Sequence, residues 1–229
     1  MKMELKCVCY CITRNLYQAV QPSVHSMIRK GNPDGLFILA EDDNIGMQLP
    51  DWAEVINMSR QEFFRSDGPN YHKKWTYMAM MKTTMAKIFP DLQRILTLDH
   101  DTLILGDLSE LWGIPMYENY VAGCNEPYWE RITGRKYINA GVLMWNLDKI
   151  REDKMDDKMI GMLNEIDFQL PEQHVINRAC MDHIQVLDSA YNFCDYVDTP
   201  CQPVKILHFA GQAGRESWMR KEIWGDKNE

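Results

Sequence analysis

Apolar residues fall along this chain in short runs separated by helical spacings and polar breaks. Residues 5–12 form one such run, predicted as a strand, which stops at Thr13-Arg14-Asn15-Leu16-Tyr17. Val20, Val24, Met27 and Ile28 follow at the spacing of one helix face. Gly31-Asn32-Pro33-Asp34-Gly35 reads as a turn and residues 36–40 as a second strand. That strand ends in Glu41-Asp42-Asp43, expected to be a solvated loop. Strand, helix and strand in close succession make a βαβ unit, so a mostly parallel sheet is expected.

Further short strands are expected at residues 54–57, 121–124 and 184–187, and a final one at 204–209. Residues 75–89 read as one helix carrying Met78, Met81, Met85 and Ile88, with Lys82 beside that stripe. Asp107 is placed to cap a short helix with Glu110 in the capping-box position. Asp148 is placed to cap a longer helix running to about Asn164, and Pro171 opens another. Asn139-Ala140-Gly141 reads as a turn feeding an apolar strand, its small residues allowing close approach to a ligand. Two polar stretches, 59–74 and 125–136, read as loops, the places where a rigid scaffold carries specificity.

The richest stretch is Arg94-Ile95-Leu96-Thr97-Leu98-Asp99-His100-Asp101-Thr102. An apolar run that ends in two aspartates one residue apart reads as a buried strand delivering both carboxylates to one face, with His100 pointing away. Two carboxylates so close need a positive partner, and a divalent cation with oxygen ligands suits them. Strand ends of open α/β sheets are also where ligands bind. His208 stands at the end of the last strand, just before the glycine-bearing loop Gly211-Gln212-Ala213-Gly214-Arg215, and is a candidate ligand.

Composition narrows the class. The 229 residues are 45% hydrophobic and 25% charged, enough for a globular core and read as a single domain, 1–229. A formal net charge of −8 argues against a nucleic-acid surface. No apolar stretch approaches a membrane span, and Glu4 and Lys6 interrupt any signal-peptide pattern, so a cytoplasmic location is expected. The seven cysteines, with Cys7, Cys9 and Cys11 alternating on one strand, lack zinc-site spacing and read as reduced thiols.

Three motifs in order, Leu98-Asp99-His100-Asp101-Thr102, Tyr137-Ile138-Asn139-Ala140-Gly141-Val142 and Ile206-Leu207-His208-Phe209-Ala210-Gly211, resemble glycosyltransferase family eight, the group of glycogenin and bacterial lipopolysaccharide galactosyl- and glucosyltransferases. The resemblance runs from about Lys6 to Trp218. It implies an α/β, Rossmann-like glycosyltransferase type A fold with a mostly parallel central sheet flanked by helices. It also implies a retaining hexosyl transfer from a UDP-sugar with manganese, or magnesium in its place. Asp99, Asp101 and His208 match the family's metal ligands. Thr13, Asn15 and Tyr17 match its uridine loop, with the tyrosine stacked on the base. Lys82, Asp99, His100, Asp101, Asn139, Ala140, Gly141, Gln173, Gly211 and Arg215 complete the donor-binding set, and Gln173, Asp101 and Lys82 the catalytic one. Two departures stand out. Glu172-Gln173-His174 replaces the usual Asp-Gln-Asp, and Arg215 stands where a Lys-Pro pair is common.

The same residues admit two rivals. A haloacid dehalogenase-type phosphatase also uses Asp-x-Asp after an apolar strand, but Leu103 stands where that motif has threonine. A catalytically silent nucleotide-sugar-binding module is the other. The acceptor, whether carbohydrate, glycan or protein, is not readable from the sequence, nor is the oligomeric state.

Overall fold

The computed structural model describes residues 5–74, 76–194, 197, 200–211, 214, 216 and 218. Arg215, one of the sequence-predicted donor contacts, lies outside them.

The strands are β1 (Cys7–Cys11), β2 (Gly35–Ala40), β3 (Ala53–Asn57), β4 (Arg94–Leu98), β5 (Thr102–Ile104), β6 (Val121–Asn125), β7 (Ile138–Asn146), β8 (Ile184–Leu187) and β9 (Ile206–His208). Seven of them form one sheet in the order β3-β2-β1-β4-β7-β6-β8. Its pairs are parallel except where β7 runs against β4 and β6. The expected mostly parallel α/β sheet is therefore present. The last strand is shorter than expected and does not join it: β9 pairs antiparallel with β5 in a separate two-stranded sheet, Thr102 opposite His208.

Alternation along the strands divides the apolar side chains between two layers. Cys7 and Cys9 of β1, Leu39 of β2 and Ile95 of β4 face one cluster; Val8, Tyr10, Leu36, Ile38, Leu96 and Leu98 face the other. The first layer is covered by α2 (Thr76–Met80), α3 (Met85–Ile88), α6 (Leu147–Glu152), α7 (Met155–Glu165) and α8 (Pro171–Ala179). The second is covered by α1 (Gln21–Ser26), the wide turn Met27–Gly31 that continues it, and α4 (Ser109–Trp112). Helix α5 (Pro127–Thr133) buries none of its residues. All seven cysteines are free thiols.

One buried polar pair joins β4 to β7. Thr97 Oγ1 accepts from Trp145 Nε1 at 2.9 Å, and both side chains are fully buried. Thr97→Val keeps the shape but strands the indole N–H away from water. It is expected to destabilise the fold by about 1–3 kcal/mol, read by urea denaturation. An unchanged denaturation midpoint would mean that the indole finds another acceptor.

Several local expectations give way to side-chain chemistry. Residues 75–89 are not one helix: a 3-10 turn, Met81–Thr84, separates α2 from α3. Thr83 and Thr84 donate back to Met80 O and Met81 O at 2.9 and 2.8 Å, tightening the backbone there. The helix expected to start at Asp148 is two, α6 and α7, broken at Lys154 with φ 53°; Asn146, not Asp148, caps α6 by accepting from Lys149 N. Asp107 does bond Ser109 N, but the capping box with Glu110 is not formed as an N-cap pair, since Leu108 occupies the cap of α4. The stretch 125–136 is no loop, because Pro127 opens α5. The acidic triplet is not merely solvated. Glu41 accepts from Arg14 N at 2.8 Å and Asp42 pairs with the Arg14 guanidinium, so both hold the 13–17 segment.

Candidate functional site

The chain leaves β4 at Leu98 and turns at once. Asp99 and Asp101 therefore converge through a tight turn and not by strand alternation. Thr102 Oγ1 donates to Asp99 O at 2.9 Å and closes it. His208 arrives from β9 across the small sheet. Carboxylate oxygens of Asp99 and Asp101 and an imidazole nitrogen of His208 lie within 4.8 Å of one another. His208 Nε2 is 3.3 Å from Asp101 Oδ1 and 3.7 Å from Asp99 Oδ2. Asp101 Oδ1 is buried and makes no hydrogen bond among the described residues. A buried carboxylate oxygen aimed into a cluster of a second carboxylate and an imidazole fits a divalent cation.

Lys82, expected beside the methionine stripe, is 2% exposed and turned inward by the 3-10 break. Its ammonium bonds Asp99 Oδ1 and donates to Ala140 O at 2.8 Å. Burial alone would lower its pKa, but Asp99 and Glu172 outweigh burial and hold it above the usual lysine value. His208 is treated likewise: burial pulls it down, and Asp101 with Asp99 raises it. Asp101 is held low because His208 outweighs the burial that opposes it. Burial pushes the Glu172 carboxyl up, and its Oε2 has no hydrogen-bond partner among the described residues.

Asn139, Ala140 and Gly141 do not form a turn. They sit inside β7 as a bulge. Leu143 lies opposite Gly123 and Ile138 opposite Asn125, so residues 139–142 of β7 face Cys124 alone. The bulge reverses which residues face each layer: Ile138 and Ala140 share the layer of Leu143 and Trp145. It also lets the backbone serve the site. Ala140 N donates to Gln173 Oε1 at 3.0 Å, and Gly141 O accepts from Asp99 N at 2.7 Å.

A chain of amides then sets the histidine. Gly141 N donates to Asn139 Oδ1 at 2.8 Å, and a backbone N–H can only donate, which fixes that atom as oxygen. Asn139 Nδ2 then donates to Glu126 Oε2 at 3.0 Å. Asn192 must present Nδ2 to the same Asn139 oxygen, at 3.0 Å, so its Oδ1 faces His208 Nδ1 at 2.8 Å and accepts from it. Nδ1 carries the hydrogen, and Nε2 is the nitrogen turned to the carboxylates, able to hold a proton or to present its lone pair to a cation. Glu126 and Asn192 were not among the sequence-predicted residues. Neither sits in a motif, and only the fold brings them to residues 139 and 208.

The cluster lies in a cavity of about 660 Å³. Of the predicted residues, Thr13, Lys82, Asp99, His100, Asp101, Asn139, Ala140, Gln173, His208 and Gly211 line it. His100, expected to point away, does not: the turn swings it into the wall, its Nδ1 3.9 Å from Asp101 Oδ1. Asn15, Tyr17 and Gly141 are not in the lining. Gly141 lies directly behind the His208 ring. Tyr17 is 8% exposed, its hydroxyl accepting from Glu41 N and donating to Asp42, and Leu16 faces the cavity in its place. Cys11, Glu126, Tyr128, Trp129, Arg131 and Glu172 also line it. Nothing from 59–74 does. That stretch is drawn off to the end of α7, where Asn70 bonds Leu163 O, Ile166 O and Phe168 N.

Known proteins share this architecture. Galactosyltransferase LgtC, solved with donor and acceptor sugar analogues, superposes with a TM-score of 0.70 at 18% identity, over 93% of this chain and 94% of that one. Glycosyltransferase GlyE of Streptococcus pneumoniae is 24% identical over 222 residues, 84% of this chain and 52% of that protein. A Haemophilus influenzae protein whose name makes it a candidate glycosyltransferase is 28% identical over 143 residues, 56% of this chain and 43% of its own length. The chain thus spans about half the length of the curated relatives it matches. No helix among the described residues is long and apolar enough to cross a membrane. The family model of glycosyl transferase family 8 matches residues 43–215, a span that takes in both aspartates, the β7 bulge and His208 together, and on that match the chain belongs to glycosyltransferase family 8.

Proposed function

We propose that this chain is a retaining hexosyltransferase that moves a sugar from a UDP-sugar to a hydroxyl acceptor with the help of manganese, and that it works in the cytoplasm. The observation that carries the reading is the buried Asp101 Oδ1, without a hydrogen-bond partner among the described residues, facing Asp99 and His208 in the cavity, with the Lys82 ammonium beside them. Asp99, Asp101 and His208 would hold the ion, which supplies positive charge to the departing diphosphate. Lys82 adds a fixed charge on the same side and, through Ala140 O, keeps the bulge in place. Asn139 and Ala140 shape the sugar pocket. Thr13 and Leu16 form the edge of the nucleoside site, since Tyr17 has its ring buried and its hydroxyl engaged.

In the transfer the acceptor oxygen bonds the anomeric carbon as the bond from that carbon to the diphosphate oxygen breaks. The diphosphate leaves with the electron pair and takes up the acceptor's proton. Gln173 Oε1 already accepts from Ala140 N, so Gln173 offers its NH₂ to the sugar more readily than it offers an attacking oxygen. That favours attack on the face from which the diphosphate departs over a covalent glycosyl-enzyme.

The test is a panel of UDP-sugars, with manganese, magnesium or chelator, scored for released UDP. One UDP-sugar should turn over with either metal and stop with chelator. Tight binding of UDP-sugars without any turnover would favour the silent binding module. Phosphate release from simple monoesters would favour the phosphatase.

A further inference from the structure

A second cavity of about 590 Å³ adjoins the first, with Trp129 in the wall of both. It lies between α5 and α8. Neighbouring residues at the start of α8 divide between the two: Gln173 lines the first cavity and His174 the second. Asn177, Arg178 and Met181 continue the His174 side at helical spacing, so one face of α8 and its C-terminal end form the wall. From the opposite side, just after α5, come Arg135 and Lys136.

The charge of this cavity is opposite to that of the chain. The protein carries −8, yet Arg135, Lys136 and Arg178 line the space and no carboxylate among the described residues does. None of the three makes an ion pair among the described residues. Lys136 Nζ donates to Ile184 O at 3.2 Å, and Arg135 rests on Met181 Sδ. A cation near the end of α8 is favoured by the helix dipole, which accounts for Arg178 but not for two more approaching from another element. The floor is aromatic. Trp129 and Tyr137 stack with ring centres 6.0 Å apart, and His174 meets Trp129 edge-on at 4.6 Å. His174 Nε2 is buried with no hydrogen-bond partner among the described residues. An aromatic face takes the C–H side of a sugar ring, and converging cations take its acid group.

We propose that this second cavity is an acceptor subsite selecting an acidic saccharide, one bearing a carboxylate or a phosphate. The acceptor lies across Trp129, its attacking hydroxyl beside Gln173 in the first cavity and its anionic group among Arg135, Lys136 and Arg178. The inference rests on the glycosyl-transfer reading above, and the experiment separates the two.

Binding is measured by NMR titration of the parent, Arg178→Gln, Arg178→Glu and an Arg135→Glu, Lys136→Glu double variant, each checked for cooperative melting. The probes are glucuronate and other uronates, and glucose 6-phosphate and other sugar phosphates, each set against its neutral counterpart. The expected result is a preference of about tenfold for the acidic sugar in the parent. It should weaken in Arg178→Gln, vanish in Arg178→Glu and in the double variant, and fall as salt rises. Comparing uronates with sugar phosphates tells which anion is preferred. Equal binding of acidic and neutral sugars, or a preference that survives both charge reversals, overturns the proposal. Transfer with the UDP-sugar panel is the second readout. UDP release with no advantage for acidic acceptors sinks the subsite and leaves the transferase standing. Acidic-sugar selectivity without UDP release from any donor does the reverse.

Discussion

Asp101→Asn is expected to cut glycosyl transfer by more than about a hundredfold while the protein stays folded. The magnitude follows from position. Loss of a partner behind a metal ligand typically costs about 10–100-fold, and Asp101 is proposed as a ligand itself. The fold should survive because its share in Asp101 runs through the main chain: Asp101 O accepts from Phe209 N at 2.9 Å, and asparagine keeps that carbonyl. The side-chain exchange is nearly isosteric, and Asp101 is 3% exposed, so no cavity opens. Nor is a cation left stranded, since Lys82 remains bonded to Asp99 and His208 can give up its proton. Turnover of the best UDP-sugar and the melting temperature are measured together. A cooperatively folded Asp101→Asn protein with near-parent turnover would remove Asp101 from the site.

The large outlines were legible because they follow from patterns with a single physical meaning. Val8-Cys9-Tyr10 and Leu36-Phe37-Ile38 are apolar at every position, the pattern of strands covered on both faces, and these strands lie side by side and parallel. Residues 184–187 were found to the residue, bounded by polar neighbours on both sides. Failures cluster where a polar side chain competes with the backbone. Thr83 and Thr84 break a helix whose apolar period continues through them. The sequence also left open where the last strand goes, because the apolar run of β9 says only that it is buried, not that it pairs with β5.

The site was legible as a list of residue types more than as a geometry. Asp99 and Asp101 do converge, but through a turn that also brings in His100, which simple alternation had sent the other way. The Asn139-Ala140-Gly141 stretch was marked by its small residues. Its form as a bulge depends on the register with β6, which no local signal carries. Glu126 and Asn192 are ordinary polar residues in sequence, and they matter because the bulge and β9 bring Asn139 and His208 within their reach. Of the two stretches expected to carry specificity, 125–136 lines the cavity and 59–74 does not, since Asn70 spends its side chain on the backbone at the end of α7.

Gly141→Ala is expected to weaken manganese binding by about 10–100-fold, the scale of disturbing what orients a metal ligand. A Cβ built at Gly141 would lie 2.1 Å from His208 Cε1, 2.6 Å from its Nδ1 and 2.9 Å from Asn139 Oδ1. The backbone cannot retreat to make room. Gly141 N is held by Asn139 Oδ1, Gly141 O by Asp99 N, and β7 is packed between β4 and β6. The imidazole must therefore move, and moving it breaks the bond from Nδ1 to Asn192 and withdraws Nε2 from the carboxylates. Overpacking should also cost about 1–3 kcal/mol of stability. A second substitution separates these effects. His208→Ala added to Gly141→Ala removes the atoms that clash, so the double variant should recover stability relative to Gly141→Ala alone, while manganese affinity stays low. Titration of manganese in the presence of UDP and chemical denaturation of the parent, both singles and the double give the complete cycle. If Gly141→Ala binds manganese like the parent, or if the two substitutions destabilise additively, the ring is not held against this glycine and the role assigned to Gly141 is wrong.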